Sequence, residues 1–346
     1  MAASDASAEP YRGRSVAVRL IALVVTLFVV VVVALFVGTV SISPADAWRV
    51  LLDRLGIAES ETTAGAVFWS IRLPRVLAAA LVGGVLGLAG AALQGVYRNP
   101  LADPYLLGIS SAAGLGAVLG IVMTTAGGFP LATVALAAAA GAGFALLTRR
   151  ISAATVDPAR FLLVGVALGF ALLAWTVVLV FIWDSPRLPT FTYFVFGSFG
   201  GVTWKGIGSA LPFVVAGSVL IAYSVRALDL LALGDREAQH LGVGLRQVVA
   251  TVLVGVGVAV GASVGLAGVI GFVGLLAPYV VRRWVGPSHR VLIPASAIAG
   301  ATFLVAADLV ARLLAEPVEV PVGIVTAAVG GPFLVFLLVR RERVQT

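Results

Sequence analysis

The sequence predicts an all-α, polytopic membrane protein of about ten transmembrane helices with both termini in the cytoplasm. Two observations carry the class. Of the 346 residues, 60% are hydrophobic and 11% charged, too few polar groups to solvate a globular surface. The apolar residues also fall in ten runs, near 18–40, 74–96, 105–123, 130–148, 161–183, 206–225, 247–266, 268–285, 291–310 and 320–339. A helix rises about 1.5 Å per residue and the hydrocarbon core is roughly 30 Å thick, so about twenty apolar residues cross it. A third observation orients the chain. An even number of spans puts both termini on one side, and the connectors on that side (1–19, 97–104, 149–160, 226–246, 282–290 and 340–346) hold 16 of the 23 Lys and Arg. The positive-inside rule makes that side cytoplasmic. The net charge of +7 is therefore read as loop retention and not as affinity for nucleic acid.

The chain reads as one transmembrane domain, 1–346, with 1–17 as a cytoplasmic tail. The longest polar gap, Ser41 to Ser70, shows no packed-core pattern, so no soluble domain of useful size is expected.

Taken in order, the first run follows Arg12, Arg14 and Arg19 and precedes Ala45-Asp46-Ala47, as in a secretory signal. From Leu20 to Val40 it is about 21 residues, longer than the roughly 7–15 of a signal's apolar region, and it reads as a retained span. The second, third, fifth and seventh runs carry glycines four apart: Gly83-Gly87, Gly116-Gly120, Gly165-Gly169 and Gly257-Gly261-Gly265. That spacing puts bare backbone on one helix face, where a neighbour can approach closely. After the second run, Pro100 forbids continued helical hydrogen bonding, so the chain turns at Asn99-Pro100-Leu101. Residues 227–245 are too polar to span. Leu230, Leu233, Ala238 and Leu241 offer small or apolar contacts, Asp229, Asp235, Arg236 and Glu237 stay wet, and Gly234 and Gly242 suit helix ends, which predicts two short helices. Gly265, Gly268 and Gly271 interrupt 247–285, leaving open a differently broken pair of helices there.

Several function classes are disfavoured. No Asp, Glu, Lys, Arg or His stands at mid-membrane depth, Asp308 lying near the outer end of its span, which argues against a proton relay. Sodium coupling through carbonyls and hydroxyls stays open. There is no Gly-Lys-Ser/Thr phosphate loop, so the chain does not itself bind ATP that way. No nucleophile–base pair or zinc-binding helix motif points to an enzyme. Cysteine is absent, excluding disulfides and thiolate metal sites. His240 and His289 stand alone in polar connectors, short of the convergent ligands a metal needs. Arg72, Arg75 and Arg312 sit at outer span ends, against the retention bias. They are candidates for recognising an acidic partner outside, with headgroup anchoring as the alternative.

Four stretches resemble one family, the permease subunits of bacterial ABC importers for ferric siderophores, haem and vitamin B12. The first is Ile71-Arg72-Leu73-Pro74-Arg75-Val76, with the segment from Gln94-Gly95 through Arg98-Asn99-Pro100-Leu101-Ala102-Asp103-Pro104 to Gly108. The second is Leu230-Leu231-Ala232-Leu233-Gly234, then Ala238 and Leu241-Gly242-Val243. The third runs from Gly268 to Leu275, then Ala277-Pro278, Arg282, Gly286, His289-Arg290 and Pro294-Ala295-Ser296. The fourth is Ala307-Asp308, Arg312, Pro317, Glu319, Pro321-Val322-Gly323-Ile324 and Gly330-Gly331-Pro332-Phe333. They cover most of 71–340 in the family's order. One departure is Tyr279, where the family usually has His, which leaves that side chain's role in doubt.

The resemblance implies a ten-helix inner-membrane subunit that pairs with a second copy or close homologue around a central pathway. Two ATPase subunits, which bind ATP and Mg, sit beneath, and a periplasmic or lipid-anchored binding protein docks above. This chain then has no catalytic residue, metal or cofactor of its own. By position, Asn99 and Leu101 match the cytoplasmic gate, an ordinary helix-breaking turn being the plain alternative. Leu230, Leu233, Gly234, Ala238, Leu241 and Gly242 match the ATPase coupling element, against an interfacial amphipathic hairpin. Arg72, Arg75 and Arg312 match the arginines that receive the binding protein's acidic residues, for which a planar bidentate fork is suited. The implied cargo is a ferric siderophore or related chelate, haem and cobalamin remaining open. Trp175, Thr176, Phe191, Tyr193, Phe194 and Phe196 are candidate cargo contacts or interface anchors. The rival readings are an ion-gradient-coupled secondary transporter and a non-transporting scaffold.

Overall fold

The computed structural model describes residues 9–38, 43–54, 63–123, 130–152, 158–183, 195–314 and 319–345. The helices in chain order are α1 (Glu9–Phe36), α2 (Pro44–Arg54), α3 (Thr63–Val67), α4 (Leu73–Tyr97), α5 (Ile109–Met123), α6 (Pro130–Ser152) and α7 (Pro158–Trp183). Then come α8 (Trp204–Tyr223), α9 (Val225–Leu231), α10 (Asp235–His240), α11 (Leu245–Ala267), α12 (Val273–Val285), α13 (His289–Leu313) and α14 (Val322–Gln345). A π-helical turn, Phe68–Arg72, joins α3 to α4.

Each of the ten apolar runs is represented by a helix. Among the described residues, eight helices are long and apolar enough to cross a bilayer, and α5 and α12 are shorter, at 15 and 13 residues. Both short helices have a local cause. Residues 105–108, expected to begin the third span, are instead a turn: Asp103 Oδ1 accepts from the Tyr105 and Leu106 N–H groups at 2.8 and 3.3 Å. Residues 268–272 are likewise not helical. Gly268, at φ 74°, ends α11, and Phe272, at φ 68°, opens α12. The Ser41–Ser70 gap also holds more than expected, since α2 and the π turn pack Ala47 and Val50 against Phe68.

Burial separates the middle of the bundle from its rim. The apolar windows of Thr63–Tyr97 and Leu245–Ala267 are 72% and 61% buried, against 0% for Val16–Phe36 and 17% for Leu163–Ile182. Thus α4 and α11 form the centre, while α1 and α7 present their sides outward. Helix α4 packs on α13, α12 and α11; helix α11 packs on α6, α8 and α5. Lipid tails are as apolar as leucine, so burial of apolar surface does not drive these contacts; close van der Waals approach does. The glycines provide it. A Cβ added at Gly83 would strike the Gly300 carbonyl, and one at Gly87 the Ser296 carbonyl, so α4 and α13 touch backbone to backbone. On α11, Gly257 and Gly261 meet the backbone of Ala142 and Ala137 on α6 in the same way.

Candidate functional site

Two polar assemblies interrupt this apolar bundle, one at each end of α4. At the outer end, the π turn and the first turn of α4 carry Arg72 and Arg75, and α13 carries Asp308 and Arg312 one helical turn apart. Arg75 holds Asp308 bidentately, Nε to both carboxylate oxygens at 3.1 Å and Nη2 to Oδ1 at 3.0 Å, and its Nη1 reaches Glu319 Oε1 at 2.8 Å. Arg312 Nε lies 3.3 Å from Asp308 Oδ2. The remaining donors turn to α1, whose last turn has carbonyls without helical partners. Arg72 Nη1 donates to the Leu35 and Phe36 carbonyls at 3.1 and 3.2 Å, and Arg312 Nη2 to that of Ala34 at 3.1 Å.

The three arginines expected to reach outward are therefore brought together, but not as projecting arms. Arg72 and Arg75 are each 5% exposed and Asp308 1%. Glu319 differs, its side chain being 45% exposed. The charges are committed to carboxylates and helix-end carbonyls inside the chain, because an unpaired guanidinium in so dry a place would be costly.

At the cytoplasmic end, α4 stops at Arg98, a non-glycine residue in the left-handed region (φ 47°, ψ 32°). The turn that follows is closed by Asn99, whose Oδ1 accepts from Leu101 N–H at 3.0 Å. Asn99 and Leu101 are both half-buried. Beyond them the chain folds back beside α4 as far as Asp103, which is 1% exposed and lies against Gly274 at the start of α12. Burial pushes this carboxyl up to about 6, against the opposing pull of the Tyr105, Leu106 and Leu275 N–H groups. Gln94, one turn inside the end of α4, donates to the Gly274 carbonyl at 3.3 Å and accepts from Arg282 Nη2 at 3.2 Å.

Residues 227–245 form the short helices α9 and α10, as the glycines suggest. Gly234 turns the chain at φ 125° and Gly242 at φ 82°. Leu233 and Leu241 stand 64% and 60% exposed, an apolar pair left uncovered among the described residues. Ala238 is fully buried and Leu230 packs partly against the core. Ala238 thereby seats α10 on the bundle.

Polar side chains join this hairpin to α4 and α13. Asp235, the first residue of α10, accepts from Arg98 Nη2 at 2.8 Å. Asp229 on α9 accepts from the His289 N–H at 2.6 Å, from His289 Nδ1 at 2.9 Å and from Ser288 Oγ at 3.2 Å. His289, which sequence reasoning left alone in a connector, is thus a buried residue at the first turn of α13. Its signal in the sequence is weak, since its partner lies 60 positions away.

Tyr279 has a packing role: its ring meets Phe333 edge-on with centroids 5.2 Å apart, and its hydroxyl accepts from Arg283 Nη2 at 3.1 Å. Trp175 is 61% exposed, and the Thr176 hydroxyl is satisfied by the Leu172 carbonyl at 2.8 Å. Phe196 is 43% exposed. Phe191, Tyr193, Phe194 and Pro317 lie outside the described residues.

Comparison with known proteins gives a consistent picture. The FecCD transport family matches residues 26–340. A cobalamin import system permease protein, BtuC, of Halobacterium salinarum is 42% identical over 281 residues, covering 81% of this chain and 75% of that one. The vitamin B12 import system permease protein BtuC of Escherichia coli is 37% identical over 329 residues, covering 94% and 95%. The hemin transport system permease protein HmuU of Yersinia pestis is 38% identical over 282 residues, covering 80% and 84%. Among solved structures, an inward-facing metal-chelate type ABC transporter superposes with a TM-score of 0.76 at 30% identity, over 93% of this chain and 98% of that one.

Proposed function

This chain belongs to the FecCD transport family, and from that premise we propose that it moves a ferric siderophore or a related metal-chelate cofactor, haem or cobalamin included, into the cell. It is the membrane-embedded permease of an ABC importer, a non-enzymatic subunit that works with ATPase subunits and a substrate-binding protein. The observation that carries the cargo class is the alignment over nearly the whole chain with permeases named for cobalamin and hemin. The finer assembly is our reading: a second permease copy or close homologue completes the pathway, two ATPases seat on the hairpin α9–α10, and a periplasmic or lipid-anchored receptor docks at the outer end of α4. There the half-exposed Glu319 is the carboxylate that a receptor acid would displace from Arg75.

In proteoliposomes holding the permease, its ATPase and its receptor, uptake should require ATP and persist after proton and sodium gradients are collapsed. Gradient-driven uptake by the permease alone would favour a secondary carrier and overturn this reading.

The gate assignment rests on Asn99 and Leu101. The chain has no native cysteine, so Asn99→Cys or Leu101→Cys offers a single thiol. A cross-link between two permease copies at this turn should stop uptake until it is reduced. Full uptake through an efficiently linked complex would remove the gate from these residues.

A further inference from the structure

We propose that the Asp229–His289 clasp and the Arg98–Asp235 bridge fasten the hairpin α9–α10 to the gate end of α4, so that the hairpin and the gate turn move as one body. The inference rests on the reading of α9–α10 as the ATPase-facing element and of 99–101 as the gate.

The clasp is built from the side. Asp229 belongs to α9, yet it occupies the N-terminus of α13, where three donors converge on its carboxylate. Unpaired N–H groups and the positive end of a helix dipole make that position favourable for an acid. The bond from Nδ1 fixes the imidazole ring, and the ring then faces α4. His289 is 3% exposed, and its Nε2 is buried without a hydrogen-bond partner among the described residues. What Nε2 meets is Gly95: a Cβ there would stand 2.5 Å away. A buried polar nitrogen left unpaired is unfavourable. The ring therefore acts here as a rigid spacer, held by Asp229 on one side and pressed on bare α4 backbone on the other.

Gly95 lies one turn before Arg98, and Arg98 carries the second contact. Its Nη2 bonds Asp235 at 2.8 Å, with both side chains about half exposed. A half-exposed bridge adds little stability alone, so its value is geometric. Asp229 sits on α9 and Asp235 opens α10, so the hairpin is held at two separated points and cannot pivot about either. One point is the start of α13, whose His289 presses on Gly95 in the last turn of α4; the other is Arg98, which ends α4 immediately before the gate.

The test uses the full permease–ATPase complex with its receptor in proteoliposomes. Arg98→Ala combined with Asp229→Ala should lower cargo moved per ATP hydrolysed by about tenfold while hydrolysis continues. Arg98→Asp and Asp235→Arg should each lower that ratio, and the two together should restore it, which a merely structural role would not do. Arg98→Cys with Asp235→Cys, joined by a bifunctional thiol reagent about as long as an arginine side chain, should keep its uptake. Spin labels on the same cysteines should hold one separation in nucleotide-free and nucleotide-bound complexes, a readout that stands whatever the cargo. A separation that changes with nucleotide, loss of uptake on linking, or an unchanged cargo-to-ATP ratio in the double alanine variant would each overturn the proposal. Loss of ATP dependence in the unmodified complex would instead strike the importer reading and leave the distance result standing.

Discussion

Replacing Arg75 with alanine should destabilise the permease by about 3–5 kcal/mol, the range for removing one partner of a buried ion pair. Asp308 is 1% exposed and receives three of its contacts from Arg75. Without that fork the carboxylate keeps only Arg312, whose Nε stands 3.3 Å away. The outer ends of α4 and α13 and the segment at Glu319 would lose their common tie. The measurement is thermal unfolding of the detergent-solubilised permease, and a melting temperature equal to that of the unmodified protein would refute the structural role. Glu319→Gln is the control. Its side chain is 45% exposed, so its stability change should stay within about 1 kcal/mol, while receptor affinity at low salt should shift if receptor acids compete for Arg75. Converting Arg72, Arg75 and Arg312 all to glutamate would be a poor docking test. It would set three new acids beside Asp308 and Glu319 and expose the carbonyls that end α1.

Leu233→Asp with Leu241→Asp should strip the ATPase from the purified complex, with affinity falling by about a hundredfold or more. Both leucines are more than half exposed, so the permease should fold normally, and the loss would arise from burying charge in a packed contact. Co-purification at full ATPase stoichiometry would remove the coupling role from α9–α10. Gly234→Trp is a less clean probe of the same surface. At φ 125° only glycine is unstrained, so a tryptophan would distort the hairpin before reaching any partner.

Much of the site is legible in the linear chain because the cues are local. Pro100 breaks a helix wherever it stands, and the αL arginine before it is the stop that follows. Gly234 and Gly242 mark the two turns of the hairpin for the same kind of reason. The short helices α5 and α12 are less legible. Their starts depend on Asp103 gathering N–H groups and lying against Gly274, a contact across 171 residues that no periodicity reports. The functional pairs were hidden most completely. Asp229 and His289 each look like an ordinary polar residue of a connector, and only their meeting at the start of α13 gives them a common task.

The sequence by itself determined the class of molecule: its membrane placement, its ten apolar helices and the family to which it belongs. Those depend on composition, run length, the distribution of arginine and the order of short motifs, all of which are properties of the chain in one dimension. The tertiary structure alone decided which charges are available. Arg72 and Arg75 read as outward-facing in the sequence and are buried in the fold, with Arg312 half-buried beside them, because Asp308 and the carbonyls that end α1 lie far from the first two in the chain and beside them in space. In a low-dielectric bundle the nearest opposite charge or carbonyl sets a side chain's state, and proximity is what folding supplies.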